Sequence, residues 1–182
     1  MTLVNEKIHK DLKIKAVDAY VKQLLQENLP ASIFFHTYQH TQRVWKAVKE
    51  LSRQAKVSTE DREILQIAAL FHDTGFIKDY ENHEKESIFL AVNYLRDKGY
   101  PEEKIAKIKA LIEVTKLDIA PATFLQKLMC DADTAHLGQK RYRRRSERLR
   151  KEWEYFRKDY CPTDLEWEKE NLKFLQQHNY YT

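Results

Sequence analysis

Apolar residues along this chain recur mostly at three- and four-residue intervals, the spacing that lines up one face of an α-helix. Ile8, Leu12, Ile14, Val17, Val21, Leu24 and Leu25 predict a first helix over residues 8–26, stopped by Pro30. A second is expected over 36–55, with Val44, Ala47, Val48 and Leu51 as its buried stripe. Ser58-x-x-Asp61 resembles a capping box and opens a third, which runs through Ile64, Leu65, Ile67, Ala68 and Leu70 to His72. After a loop over 74–82, Asn82 is placed to cap a fourth helix over 84–98, closed by Gly99 where a left-handed residue is favoured. Pro101 sits at the first turn of a fifth, ending near Thr115. A sixth is expected over 123–136, punctuated by Gly138. A basic helix follows to about Tyr160, and Thr163-x-x-Glu166 caps a last amphipathic helix reaching about His178. No run of alternating β-branched residues is long enough to nucleate a sheet. The expected fold class is all-α: a bundle of five or more helices over residues 1–138, with the helices of 139–182 packed on it as a C-terminal extension.

Composition sharpens this picture. Three Gly and four Pro among 182 residues leave little material for turns, so long helices must be joined by short connections. The most apolar uncharged run, residues 64–71, is far too short to span a bilayer. Residues 1–15 carry scattered charges and no apolar stretch of the kind a secretory leader needs. Two cysteines, Cys130 and Cys161, with no CxxC pair suit a reduced, cytoplasmic protein. The net charge of +4 is unevenly distributed. Residues 139–159 hold ten Lys/Arg against four acids, a local +6, which leaves the remainder at −2. The bulk of the chain is therefore no surface for nucleic acid, although its one basic helix keeps that partner as a minority reading.

The candidate chemistry emerges when polar residues are set on the helices. His40 lies four residues before Val44 and shares its apolar face. His72 and Asp73 end the most apolar helix, and Asp131 lies three residues after Leu128. Each has an ordinary reading when taken alone: a hydrogen-bonded core histidine, a helix C-terminus, an aspartate paired with arginine. Together they would be several independent buried polar exceptions, and a buried, unpaired carboxylate costs several kcal/mol. One divalent cation ligated by His40, His72, Asp73 and Asp131 would satisfy all four. Imidazole and carboxylate ligands do not choose sharply among Mn, Mg, Fe and Zn.

The order His40 … His72-Asp73 … Asp131 resembles the H…HD…D signature of the HD superfamily of metal-dependent phosphohydrolases. The segments around it match as well: residues 35–44 are similar to the family's opening helix, 68–76 to its HD turn, 82–87 to its His-Glu segment and 129–138 to its last motif. The resemblance implies a helical bundle with a metal at its centre and hydrolysis of a phosphoester, often in a nucleotide. It also bears on roles. Family members with two metals carry further histidines between the HD turn and the last aspartate. Here residues 111–117 contain none, so a single ion is expected, with His83 the one residue that could reach a second. In related phosphodiesterases a histidine one turn before the first ligand protonates the leaving oxygen, and His36 stands at that spacing.

The expected site then has Asp73 orienting water as well as ligating. Glu84 or His83 acts as general base, and His36 or His83 as general acid. Lys78, Lys116 and Arg145 of the basic helix are expected to hold phosphate oxygens. The substrate is expected to be a small phosphorylated molecule, with nucleotides favoured. A homodimer is compatible with the sequence and membrane association is not expected. Two other classes carry the same signature: a non-catalytic metal-containing signalling or partner-binding module, and a di-iron oxygenase on the same fold. The oxygenase would need extra ligands between Asp73 and Asp131, where only His83 with Glu81 or Glu84 offers them.

Overall fold

The computed structural model describes the backbone of residues 3–182 and the side chains of residues 12–182. Ile8 of the expected first stripe lies outside the described side chains, as do those of residues 1–11 in the segment read for a leader. Eight α-helices follow one another: α1 (Leu3–Asn28), α2 (Tyr38–Gln54), α3 (Thr59–Phe71), α4 (His83–Asp97), α5 (Glu102–Glu113), α6 (Phe124–Thr134), α7 (Tyr142–Phe156) and α8 (Asp164–Gln177). A short 3₁₀ turn, Thr74–Ile77, joins α3 to α4. There is no strand among the described residues, so the fold is all-α.

Helix α3 is the axis of the bundle. Every residue from Ile64 to Phe71 except Gln66 is buried, because α1, α2, α4, α5 and α6 all pack around it. A helix apolar on all sides must be enclosed on all sides. Val17 and Val21 of α1, Val44 and Val48 of α2, Leu95 of α4, Ile108 and Ile112 of α5 and Leu128 of α6 complete the same core. The two residues that leave this core at the C-terminal end of α3 are His72 and Asp73, themselves buried. The bundle thus carries the HD pair into its interior.

Local chemistry sets the helix ends. Ser58 accepts the Asp61 N–H at 3.0 Å, as its spacing predicts. Thr163 with Glu166 forms a full capping box at α8, and so does Thr123 with Gln126 at α6. Asn82 departs from expectation and makes no side-chain cap. Instead the Asp79 carboxylate accepts the N–H groups of Glu81 and Asn82 at 2.8 and 2.9 Å. Gly99 adopts φ +69°, the left-handed closure expected after α4. Gly75 has a different reason for lacking a side chain: a Cβ there would lie 1.9 Å from the His83 carbonyl oxygen. The 3₁₀ turn can press against the start of α4 only because this position is glycine.

The start of α2 also differs from the sequence reading. Thr37 is the N-cap, with extended ψ of 169°, so His36 lies in the preceding loop and not on the helix with His40. The cause is distant in sequence. Glu152 of α7 sends its fully buried carboxylate under this loop, where Oε2 accepts the N–H groups of Phe34, Phe35 and His36 at 2.9, 2.8 and 3.3 Å. The 139–182 segment is seated on the rest of the molecule at further points. Tyr80 stacks on Phe156 at 4.0 Å, and Asp131 takes the N–H groups of Tyr181 and Thr182.

Candidate metal centre and catalytic pocket

Three elements bring ligand-type atoms to one place. His40 comes from the first turn of α2, His72 and Asp73 from the end of α3, and Asp133 from the last turn of α6. The ligand atoms of His40, His72 and Asp133 all lie within 4.8 Å of one another. His40 Nε2 is 3.0 Å from Asp133 Oδ1, and His72 Nε2 is 3.4 Å from the same oxygen. Asp73 Oδ2 lies 3.2 Å from His72 Nε2 and 3.4 Å from His40 Nε2.

The tautomer of His72 is set by its backbone partner. A carbonyl oxygen only accepts, so the 2.9 Å contact of His72 Nδ1 with the Ala69 carbonyl places the proton on Nδ1. The Nε2 lone pair then faces Asp73 and Asp133, the arrangement by which outer hydrogen bonds orient a metal-binding imidazole. His72 Nε2 and Asp73 Oδ2 are buried and without a hydrogen-bond partner, as is His40 Nδ1. Buried polar atoms are rarely left unpartnered. Here two of them point toward a common position, and that donor set fits a divalent cation.

The electrostatics agree. Burial alone would push the Asp73 carboxyl up, yet the His72 imidazole beside it holds it well below the usual carboxylate range. Burial likewise works against Asp133, and the His40 and His72 imidazoles beside it hold it well below that range. Two ionised carboxylates against two imidazoles create a place where positive charge is stabilised, whether as a proton or as a cation.

Asp131 is not in this group, which corrects the sequence reading. Its side chain is buried as expected from its apolar neighbours, but its carboxylate serves the C-terminal segment. Oδ1 accepts the Tyr181 N–H at 2.8 Å, and Oδ2 accepts the Thr182 N–H at 2.8 Å together with the Thr182 hydroxyl. Asp133, passed over in the sequence, takes the place beside the histidines. It stands four residues after Met129, which is wholly buried, so a helical phase drawn from Met129 instead of Leu128 would have singled it out.

Next to the centre, three rings form a stack. His36 stacks on Phe76 with ring centroids 4.3 Å apart and His83 stacks on it at 3.8 Å, the two imidazoles being 6.2 Å from each other. His36 Nδ1 is paired closely with Glu152 Oε1, which leaves Nε2 as its available atom. Burial lowers the affinity of His36 for a proton, but the hydrogen bond to Glu152 and the charges of Asp73, Glu152 and Asp133 together raise its pKa above 6.5. His83 Nδ1 donates to the Tyr80 carbonyl at 3.1 Å, so its Nε2 is a lone pair. That atom lies 3.9 Å from Asp73 Oδ1 and 3.4 Å from Glu84 Oε1. His136, not anticipated, also faces the centre: burial pushes its pKa down to about 4, so it is a neutral ring near neutral pH.

These groups form the floor of a cavity of about 540 Å³ that is roofed by α7 and α8. Of the three expected phosphate contacts only Lys116 lines it, with Nζ 3.6 Å from Asp118. Lys78 points elsewhere, 3.5 Å from Glu86 and over the Phe89 ring. Arg145 is turned away too, bonded to Gln139 at 2.7 Å. The basic helix contributes Arg157 instead, whose guanidinium rests 4.3 Å over Trp153 in the cavity wall.

Comparison with known families finds a match to the HD domain over residues 37–138. Comparison with curated proteins and with solved structures gives no significant match. The matched span begins at the N-cap of α2 and ends at Gly138. It includes His40, His72, Asp73, His83 and Asp133, and leaves out His36, Glu152 and the α7–α8 roof.

Proposed function

This chain belongs to the HD domain family, and from that premise we propose that it is a metal-dependent phosphohydrolase that cleaves a phosphoester of a small molecule, with nucleotides favoured, by attack of water. The observation that carries this reading is the convergence of His40, His72, Asp73 and Asp133, with the orphaned His72 Nε2 and Asp73 Oδ2 among them, at a substrate-sized cavity lined by His40, Asp73 and Asp133. His40, His72 and Asp133 would hold one divalent cation, with Asp73 as the adjoining carboxylate. Mn, Mg, Fe and Zn all suit these ligands. When bound, the ion supplies an acidified water and neutralises charge on the phosphoryl oxygens.

The protein's own groups do the rest. Asp73 orients the water through its oxygens. His83, a base at Nε2, takes the proton that water loses as its oxygen bonds to phosphorus, with Glu84 beside it. His36 carries a proton at Nε2, held there by Glu152 behind Nδ1, and delivers it to the ester oxygen as the P–O bond breaks. The proton balance closes with one phosphate and one alcohol as products. Lys116 and Arg157 hold non-reacting phosphoryl oxygens, and the roof of α7 and α8 excludes bulk water.

The test joins metal content to turnover. Purified protein should contain about one divalent ion per chain by elemental analysis, and should release phosphate from phosphoesters only when metal-loaded. Asp133→Ala should remove both properties. Metal-loaded protein without hydrolytic activity on any phosphoester would overturn the reading.

A further inference from the structure

The charge and shape of the cavity constrain which phosphoester it takes. Six carboxylates line it: Asp73, Glu81, Glu84, Asp118, Asp133 and Glu170. Among the described residues only two permanent cations do so, Lys116 and Arg157, and the first is already beside Asp118. A divalent ion on the floor would still leave the lining net negative. A triphosphate would bring about four further negative charges into this enclosure, where charges are screened far less than in water. One phosphoryl group brings only about half that charge, which the metal centre and the two cations can offset far better.

Away from the floor the wall changes character. The face formed by the C-terminal helices and the loop before them is mostly apolar and largely aromatic, with Leu137, Tyr142, Leu149, Trp153, Trp167 and Phe174 outnumbering its polar members, which include Arg157 and Glu170. Its rigidity is built in. Trp167 is buried and donates its indole N–H to Ser146 at 3.0 Å, and Trp153 packs edge-to-face on it at 5.6 Å. Such rings present a large, preformed contact area to a flat group. A compact polar alcohol such as glycerol would leave this wall uncovered.

We propose, resting on the phosphohydrolase reading, that the substrate carries a single phosphoryl group esterified to a planar aromatic or nucleoside body, and that the α7–α8 wall, with Trp153 at its centre, selects that body. The 139–182 segment is then the specificity element of the site. The preference is for monophosphates over di- and triphosphates of the same nucleoside, and for aromatic over small polar alcohols.

The experiment uses the full chain loaded with Mn and four esters: AMP, ATP, 1-naphthyl phosphate and glycerol 3-phosphate. The expected result is a kcat/KM at least tenfold higher for AMP than for ATP, and likewise for 1-naphthyl phosphate over glycerol 3-phosphate. Trp153→Ala should narrow the second gap by raising KM for the naphthyl ester. Binding is read independently of turnover as quenching of the tryptophan fluorescence by each compound and by inorganic phosphate. Cleavage of ATP or glycerol 3-phosphate as efficiently as the other two would overturn the proposed selectivity while the phosphohydrolase reading stood. Absence of all cleavage with selective quenching by AMP and 1-naphthyl phosphate would overturn the hydrolase reading and support the ligand class. Neither cleavage nor quenching would overturn both.

Discussion

Asp131 and Asp133 stand two positions apart on α6, and the fold gives them different partners. Asp133 faces His40 and His72, whereas Asp131 holds the backbone of Tyr181 and Thr182. Asp133→Ala should therefore abolish stoichiometric metal by elemental analysis. Asp131→Ala should keep the metal and lower the melting temperature, because three donors lose their acceptor. Metal loss of equal size in both variants would contradict the assignment. A second residue-scale prediction concerns His36 and Glu152. Raised above 6.5 in the fold, His36 contributes stability that is fully present below pH 6.5 and is lost as pH rises through its higher folded pKa. For Glu152 burial works against the charge, but His36 and the loop amides outweigh it and lower its pKa below 4.5. Its contribution is present above that value and lost as pH falls through the folded pKa. Glu152→Gln keeps an oxygen for the amides and removes the charge. It should shift the alkaline limb of the kcat–pH profile to lower pH and reduce kcat by about 10²-fold at neutral pH. The loss should shrink for a nitrophenyl ester, whose leaving group needs no proton. An unchanged profile would remove His36 from the acid role.

Among the elements, the 3₁₀ turn after α3 is the most exacting. It places Phe76 against both His36 and His83, and it can do so only because Gly75 lies against the His83 backbone. Gly75→Ala should cost about 3 kcal/mol in urea unfolding and disturb the ring stack, so activity should fall further than stability alone explains. Helix α8 makes a milder case. Its capping box at Thr163 and Glu166 starts the helix that carries Trp167 into the roof. Thr163→Ala should cost about 1 kcal/mol, seen as faster hydrogen exchange over residues 164–177 with α3 unaffected. Spread of the effect into α3 would show that roof and bundle unfold as one unit.

At the scale of the molecule, the bundle supplies the metal centre and the C-terminal helices complete the pocket. The HD match stops at Gly138, yet Glu152, Trp153 and Arg157 all reach the site from beyond it. A chain cut after Gly138 would expose Phe35, Phe76 and Tyr80 and leave the amides of residues 34–36 without their carboxylate. It should bind a dye specific for exposed apolar surface and melt at lower temperature than the full chain. Full stability and activity in that fragment would show that the roof is dispensable. No helix among the described residues is long and apolar enough to cross a membrane.

Helix spacing, the Ser58 and Thr163 caps and the left-handed Gly99 were legible in the sequence because each depends on residues within a turn of one another. The apolar run of α3 was enough to predict that His72 and Asp73 would be carried inward, since a helix buried on all sides leaves its end nowhere else to go. The family resemblance ordered the motifs along the chain but did not choose between two aspartates on nearly opposite faces of one helix. That choice belongs to tertiary structure: the packing of α6 turns Asp133 toward the histidines and Asp131 toward the C-terminal segment, whose amides satisfy it from fifty residues on. His36 shows the same division. Its distance in sequence from His40 suggested a shared helix, but Glu152, buried beneath the loop from over a hundred residues away, draws three amides out of helical geometry and sets the ring against Phe76. Local periodicity encodes which faces are buried; which polar group meets which is decided where distant segments desolvate one another's charges.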